Sequence, residues 1–378
     1  MSTDAARAHD PTAAPAVIID SDRHVIEPTD LWRGYLPRAL RDRAPRVIGD
    51  ELMFEGAPLF GNVGARARAI VRRQAQARFH DMVAASHPQG QLVAMDDQRV
   101  DVAYLYPTYA LYLAYVDGAD ARLSCALAQA YNAWLFDYCS ADTTRLKGVG
   151  LICKHDPPAM LAELERIARF GWRAVVLRPN PIGGRALGDP AFEPFWAACA
   201  RQSIAVTFHE GTQGRMPTAG ADRFHTRFAQ HACSHPMEQM MAFLGLLEAG
   251  VFQRHPTLRV GFLEAGAGWL PSWLWRLDHL SYPHMREELE PHVTMPPSRY
   301  FKRQCWISFE AGEPNLSSVI AAVGLDRLVY GSDYPHPDHG SASIVDQLTG
   351  AASADGAARP VELMRAALFE NPTRLFTS

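Results

Sequence analysis

The chain has 378 residues, 48% of them hydrophobic and 21% charged, with a formal net charge of -4. This is an ordinary globular composition with enough chain for a substantial core, and the charge balance gives no reason to expect a nucleic-acid partner. No run approaches the ~18 consecutive apolar residues of a membrane span, and the six cysteines show no C-x-x-C pair or zinc-finger spacing, which fits a reducing cytoplasm.

Residues 1–15, rich in Ala, Pro, Asp and Thr, lack an apolar h-region and read as a flexible tail, with 16–378 as a single domain. Val17-Ile18-Ile19-Asp20 is a β-branched run suited to a first strand. Asp22 and His24 follow, two apart and so on one face of an extended backbone. Either they grip one metal ion together, or they form an Asx turn with a surface histidine. Residues 33–90 are irregular, interrupted by Gly56, Pro58, Gly61 and Gly64. They read as an insertion after the first strand, covering a barrel mouth or a subunit contact. Within it, 65–78 is either a basic helix or a flexible arm.

Beyond the insertion, apolar runs alternate with helical spacing. Strands are predicted at 100–106, 149–152, 174–177, 204–208, 258–263, 305–309 and 328–330. Helices are predicted at 91–98, 122–139, 157–170, 192–201, 269–280, 316–323 and 361–370, with helical stretches over 224–250 broken near Ser234-His235-Pro236. About eight strands alternating with helices imply parallel pairing, right-handed crossovers and a distorted (β/α)8 TIM barrel. Gly183-Gly184 lacks the G-x-G-x-x-G order of a dinucleotide fold.

Polar residues stand where these strands end. Asp22 and His24 follow the first, Arg178 and Asn180 the fourth, and His209 the fifth. Glu264 follows the sixth, Glu310 the seventh and Asp333 the eighth. In a barrel all of them project into one mouth, and buried charges are costly unless paired or bound to metal. Two histidines and two aspartates suit one divalent ion, zinc first, with manganese, iron or cobalt as other choices. Each residue also has a structural reading. Asp333 caps a helix; Arg178 holds a substrate carboxylate or forms a salt bridge. Glu264 orients a ligand histidine or pairs with Arg276. His336 sits at the mouth or in a solvated loop with Pro337, Asp338 and His339. His9, His80, His87, His284 and His292 carry no signal, and Trp269, Trp273 and Trp275 read as core and interface.

Several stretches share an order with a known family: Asp-x-Asp-x-His-x-x-Glu-Pro at 20–28, Leu-Tyr-Pro-Thr at 105–108, Leu-Arg-Pro-Asn at 177–180 and His-Glu-Gly at 209–211. Ser-His-Pro at 234–236, Phe-Leu-Glu-Ala-Gly-Ala-Gly-Trp at 262–269 and Gly-Ser-Asp-Tyr-Pro-His at 331–336 complete the set. Together they resemble the amidohydrolase superfamily, in the branch of aminocarboxymuconate-semialdehyde decarboxylase. The resemblance implies metal ligands at Asp22, His24, His209 and Asp333, and a catalytic acid/base at His235. Two positions depart from the decarboxylase pattern: Asp22, where the name-giving enzyme has His, and Glu264-Ala265-Gly266, where His-Gly-Gly is usual.

The expected function is a metal-dependent, non-oxidative carboxy-lyase acting on a small unsaturated or aromatic carboxylic acid. Arg178, Asn180 and Glu264 would bind substrate, and His235 and Asp333 would be catalytic. The alternative is a hydrolase of an amide, ester or lactone through a metal-bound hydroxide; a hydratase comes third and a binding scaffold last. Pro236 at a first helical position would put His235 near a helix N-terminus. Aromatic and basic surface beyond the needs of a barrel predicts a homodimer.

Overall fold

Short β-branched and aromatic runs form the staves of the molecule. The computed structural model describes residues 15, 17–60, 64–212, 214–337, 344–348 and 360–377. The expected tail lies outside them apart from Pro15, as do Asp338 and His339. The staves are β1 (Ile19–His24), β2 (Val102–Tyr106) and β3, in two pieces at Leu146–Gly148 and Gly150–Leu151. Then come β4 (Ala174–Leu177), β5 (Ala205–Phe208), β6 (Val260–Phe262), β7 (Cys305–Ser308) and β8 (Leu328–Val329). All neighbours pair in parallel. The N–H of Val149, between the two pieces of β3, donates to Leu105 O at 3.2 Å and carries the sheet across the gap.

The barrel closes between β8 and β1. Ser21 N donates to Tyr330 O (3.1 Å), Asp333 N to Asp22 O (2.8 Å) and His24 N to Tyr334 O (2.7 Å). These bonds make β1 longer than its β-branched run suggests: Asp22 and His24 lie inside the strand, not beyond it. Apolar side chains from Ile18 to Phe376 form one contiguous core. Among the described residues no helix is long and apolar enough to cross a membrane.

The described residues of the insertion after β1 form regular elements. An antiparallel meander, Arg46–Ile48, Glu51–Phe54 and Ala57–Pro58, leads into α1 (Ala65–Ala77). Of the two readings of 65–78, the helix holds. Arg72 pairs with Asp50, and Arg68 Nε lies 3.8 Å from Glu51 Oε1, so the helix is laced to the meander.

The expected break at 234–236 is absent. A single helix, α2 (Arg227–Glu248), runs through Pro236, capped by the Thr226 hydroxyl, which accepts from Ala229 N. An internal proline costs about 3 kcal/mol, and tertiary packing outweighs it here. Ala242, Phe243, Leu246 and Leu247 are buried, and the Gln239 amide donates to Phe208 O and Leu263 O, both at 3.0 Å. His235 therefore stands in mid-helix, away from the positive end of a helix dipole.

Candidate metal centre

The site begins with how β1 meets β8. Asp20 points toward the loop after β8, where its carboxylate accepts from Ser332 N (2.9 Å) and Ser332 Oγ (2.6 Å). Its buried counter-charge is Arg23, which also donates to Gln91 and Gln98 and lies 4.1 Å from the Tyr334 ring centroid. Gly331 rides directly on Asp22: an added Cβ would fall 2.2 Å from Asp22 Cβ, so only glycine permits this approach. Asp333 and Glu264 both adopt positive φ, 48° and 50°, a conformation non-glycine residues hold only when their surroundings enforce it.

The two imidazoles supply the most telling geometry. His24 Nδ1 is 3.0 Å from Pro107 O, and His209 Nδ1 is 2.8 Å from Glu210 O. A carbonyl oxygen only accepts, so each Nδ1 carries the proton and each Nε2 of the neutral rings is a bare lone pair. Those two Nε2 atoms face each other at 3.0 Å. Around them stand Asp333 Oδ1 (3.1 Å from His24 Nε2), Glu264 Oε2 (2.8 Å from His209 Nε2) and Asp22 Oδ1 (3.5 and 3.7 Å from the two nitrogens). Asp22 Oδ1 is buried and makes no hydrogen bond among the described residues.

Two lone pairs and three carboxylates converging in a buried space fit a divalent cation by charge and donor type. The tightest group is His24, His209, Glu264 and Asp333, whose ligand atoms all lie within 4.8 Å of one another. Glu264 thus stands with the ligand atoms, facing His209 rather than Arg276, while Asp22 faces the imidazoles from the side. The electrostatics agree. Burial, then the Asp333 charge, pushes the Glu264 carboxyl well above its usual range. Burial opposes ionisation of Asp333 too, but His336 and His24 outweigh it and hold that carboxyl well below. Burial opposes a charge on His24 while the Asp22 and Asp333 carboxylates favour one, so they draw positive charge to its Nε2: a proton without the ion, and the ion in that proton's place when the ring is neutral and ligating.

Above the centre opens a cavity of ≈ 560 Å³, with His24, His209 and Glu264 on its floor and the meander and α1 as its roof. The insertion therefore covers the mouth. His235 lines the wall, Nε2 3.8 Å from Glu264 Oε1 and Nδ1 3.0 Å from Ser234 Oγ. Burial, with His231 and His209 nearby, lowers its pKa to about 3, so the ring is neutral at pH 7. Arg178 and Asn180 are fully buried and do not appear in this wall. Arg178 pairs with Glu210 at 2.5 Å and lies 5.0 Å from the ring centroid of Tyr112, which does line the cavity. Of the two readings of Arg178, the salt bridge is the one seen in this structure.

Of the remaining wall residues, one had two readings in the sequence and two escaped it. His336 Nδ1 is 2.8 Å from Asp333 Oδ1, its Nε2 is 3.0 Å from Thr108 Oγ1, and its ring lies 4.1 Å from that of His24. It holds Asp333 in place rather than lying in a solvated loop. His231 and Arg227 line the cavity one and two turns before His235 on α2. The i, i+4, i+8 spacing was their signal, hidden by the break expected at Pro236.

Comparison with known proteins agrees with this architecture. A curated relative, the 2-amino-3-carboxymuconate-6-semialdehyde decarboxylase of Dictyostelium discoideum, is 27% identical over 56% of this chain and 57% of its own. The match thus spans little more than half of that relative's length. An amidohydrolase structure from Mycobacterium avium subsp. paratuberculosis K-10 superposes with a TM-score of 0.77 at 20% identity, covering 96% of this chain and 100% of that one. A 5-carboxyvanillate decarboxylase from Novosphingobium aromaticivorans, complexed with manganese and 4-hydroxy-3-methoxy-5-nitrobenzoic acid, gives 0.69 at 19% identity over 96% of each chain. A profile of the family described as Amidohydrolase matches residues 19–377. With the barrel and its strand-end histidines and carboxylates in place, that match carries the conclusion: the chain belongs to the amidohydrolase family of enzymes.

Proposed function

We propose that the protein is a metal-dependent, non-oxidative carboxy-lyase acting on a small aromatic or unsaturated carboxylic acid. The observation that carries this reading is the pair of bare Nε2 atoms 3.0 Å apart, ringed by carboxylates beneath a cavity walled by a neutral histidine. His24, His209, Asp333 and Glu264, with Asp22 beside them, would hold the ion. Zinc suits the nitrogen and oxygen donors, and manganese, present in the carboxyvanillate decarboxylase, is the other candidate. When bound, the cation supplies positive charge that orients the substrate's carboxylate and neighbouring oxygen.

The chain's own residues handle the proton. His235 is neutral before substrate enters, and an anionic substrate beside it favours uptake of a proton from solvent. His235 passes that proton to the carbon bearing the carboxylate. The carbon–carbon bond breaks, its electron pair stays on that carbon, and CO2 leaves. Glu264, beside both His209 and His235, links proton handling to the metal centre. Glu264 also supports a second reading as a hydrolase, since a carboxylate there is suited to taking a proton from water.

The test is 5-carboxyvanillate with protein loaded with zinc or manganese. Release of one CO2 per substrate consumed is the expected result. No CO2 from this or other aromatic acids, with turnover of an ester or lactone instead, would favour the hydrolase. Trp275 and Phe228 are exposed, the latter at 85%, which supports the homodimer. Six free thiols support the cytoplasmic reading, and the contiguous core supports one domain over 16–378.

A further inference from the structure

The cavity is larger than a one-ring acid needs: ≈ 560 Å³ is in the range that accommodates drug-sized ligands. Its wall holds four residues that bear on length and charge. Arg227, His231 and His235 recur every four residues along α2, so all three present to the cavity. At a rise of 1.5 Å per residue, Arg227 stands ~12 Å along the helix axis from His235, well beyond the reacting end. Tyr112 stands near Arg227: burial pushes its phenol up to about 12, with Arg178 and Arg227 opposing. Phe60 packs edge-on to Tyr112 at 4.9 Å, and Trp32, Leu52, Val71 and Met82 add apolar lining.

The other guanidiniums here have carboxylate partners. Arg72 pairs with Asp50, Arg68 with Glu51, and Arg178 with Glu210. Arg227 lines the cavity, and its guanidinium makes no ion pair or hydrogen bond among the described residues. A forked cation with no protein partner, on a largely apolar wall, is suited to taking a carboxylate in a bidentate manner.

We infer that Arg227 anchors a second anionic group of the substrate, so that the substrate class is an elongated acid, two linked rings or their equivalent, with acidic groups at both ends. This rests on the carboxy-lyase reading for the reacting end. It makes Arg227 a specificity determinant, and the roof residues the walls that accept the middle of the molecule.

The test measures binding, not turnover. Biphenyl-4-carboxylate and biphenyl-4,4′-dicarboxylate are titrated calorimetrically into manganese-loaded wild type and Arg227→Gln. The diacid should bind wild type at least ~10-fold tighter than the monoacid, the scale of one charged hydrogen-bonded pair. In Arg227→Gln that preference should vanish while monoacid affinity and metal content stay unchanged. A diacid that binds wild type no tighter than the monoacid overturns the inference. So does a preference that survives the substitution. Failure of the carboxy-lyase reading appears separately, in CO2 release.

Discussion

The floor and the roof of the cavity are built by different physics. The floor is buried and over-determined. His24, Asp22, His209 and Asp333 are all at most 2% exposed, and backbone bonds across the β1–β8 seam hold their elements in register. The roof is held by pairs such as Arg72–Asp50, whose side chains are 54% and 56% exposed. Exposed pairs of that kind contribute at most about 1 kcal/mol each. The comparison teaches that the strand ends hold their polar groups by burial and backbone register, while the roof rests on exposed ion pairs that add little to stability.

The sharpest way to break this division is at the floor. Asp333→Ala should lose most of the bound metal and all activity, read by elemental analysis and turnover. Full metal occupancy in that variant would remove Asp333 from the site. Next in size is His235→Asn, which should keep metal and fold while kcat falls at least ~10²-fold. Loss of metal would instead make His235 a ligand, and an unchanged kcat would leave it a structural helix residue.

A smaller effect concerns Lys154, buried behind the floor, its Nζ donating to Asn180 O. Burial, then Arg178, lowers its pKa to about 7. Between there and the usual amine range, the unfolded chain binds a proton that the folded chain does not, so stability rises with pH across that window. The melting temperature of wild type should climb from pH 7 to 9, and Lys154→Met should flatten the climb. An equal slope in both would assign the pH dependence elsewhere. The smallest effect belongs to the roof. Arg72→Ala should shift unfolding free energy by less than about 1 kcal/mol and leave metal content unchanged. A loss of metal there would show that roof and floor are one unit.

Much of the floor could be read from the chain. Asp22, His209, Glu264 and Asp333 each stand beside or just after a run of apolar residues, and a polar group in that position is a local signal. The roof was legible only as an irregular, basic stretch, because a three-stranded meander with one two-residue strand leaves little periodicity. At α2 a strong local rule was misleading. Pro236 says stop, and the buried apolar face of α2, with the bonds from Gln239 to the ends of β5 and β6, outweighs it.

The sequence by itself determined the order of the eight βα units and the residue types at the strand ends, because periodicity and turn chemistry act over a few residues. The tertiary structure decided which charges meet. Arg178 finds Glu210 32 residues away, His336 holds Asp333 while reaching Thr108, and Glu264 takes its place beside His209. Those pairings depend on how a closed barrel brings distant strand ends within 3 Å or so, and Coulomb and hydrogen-bond energies at that range are set by position in space, not along the chain.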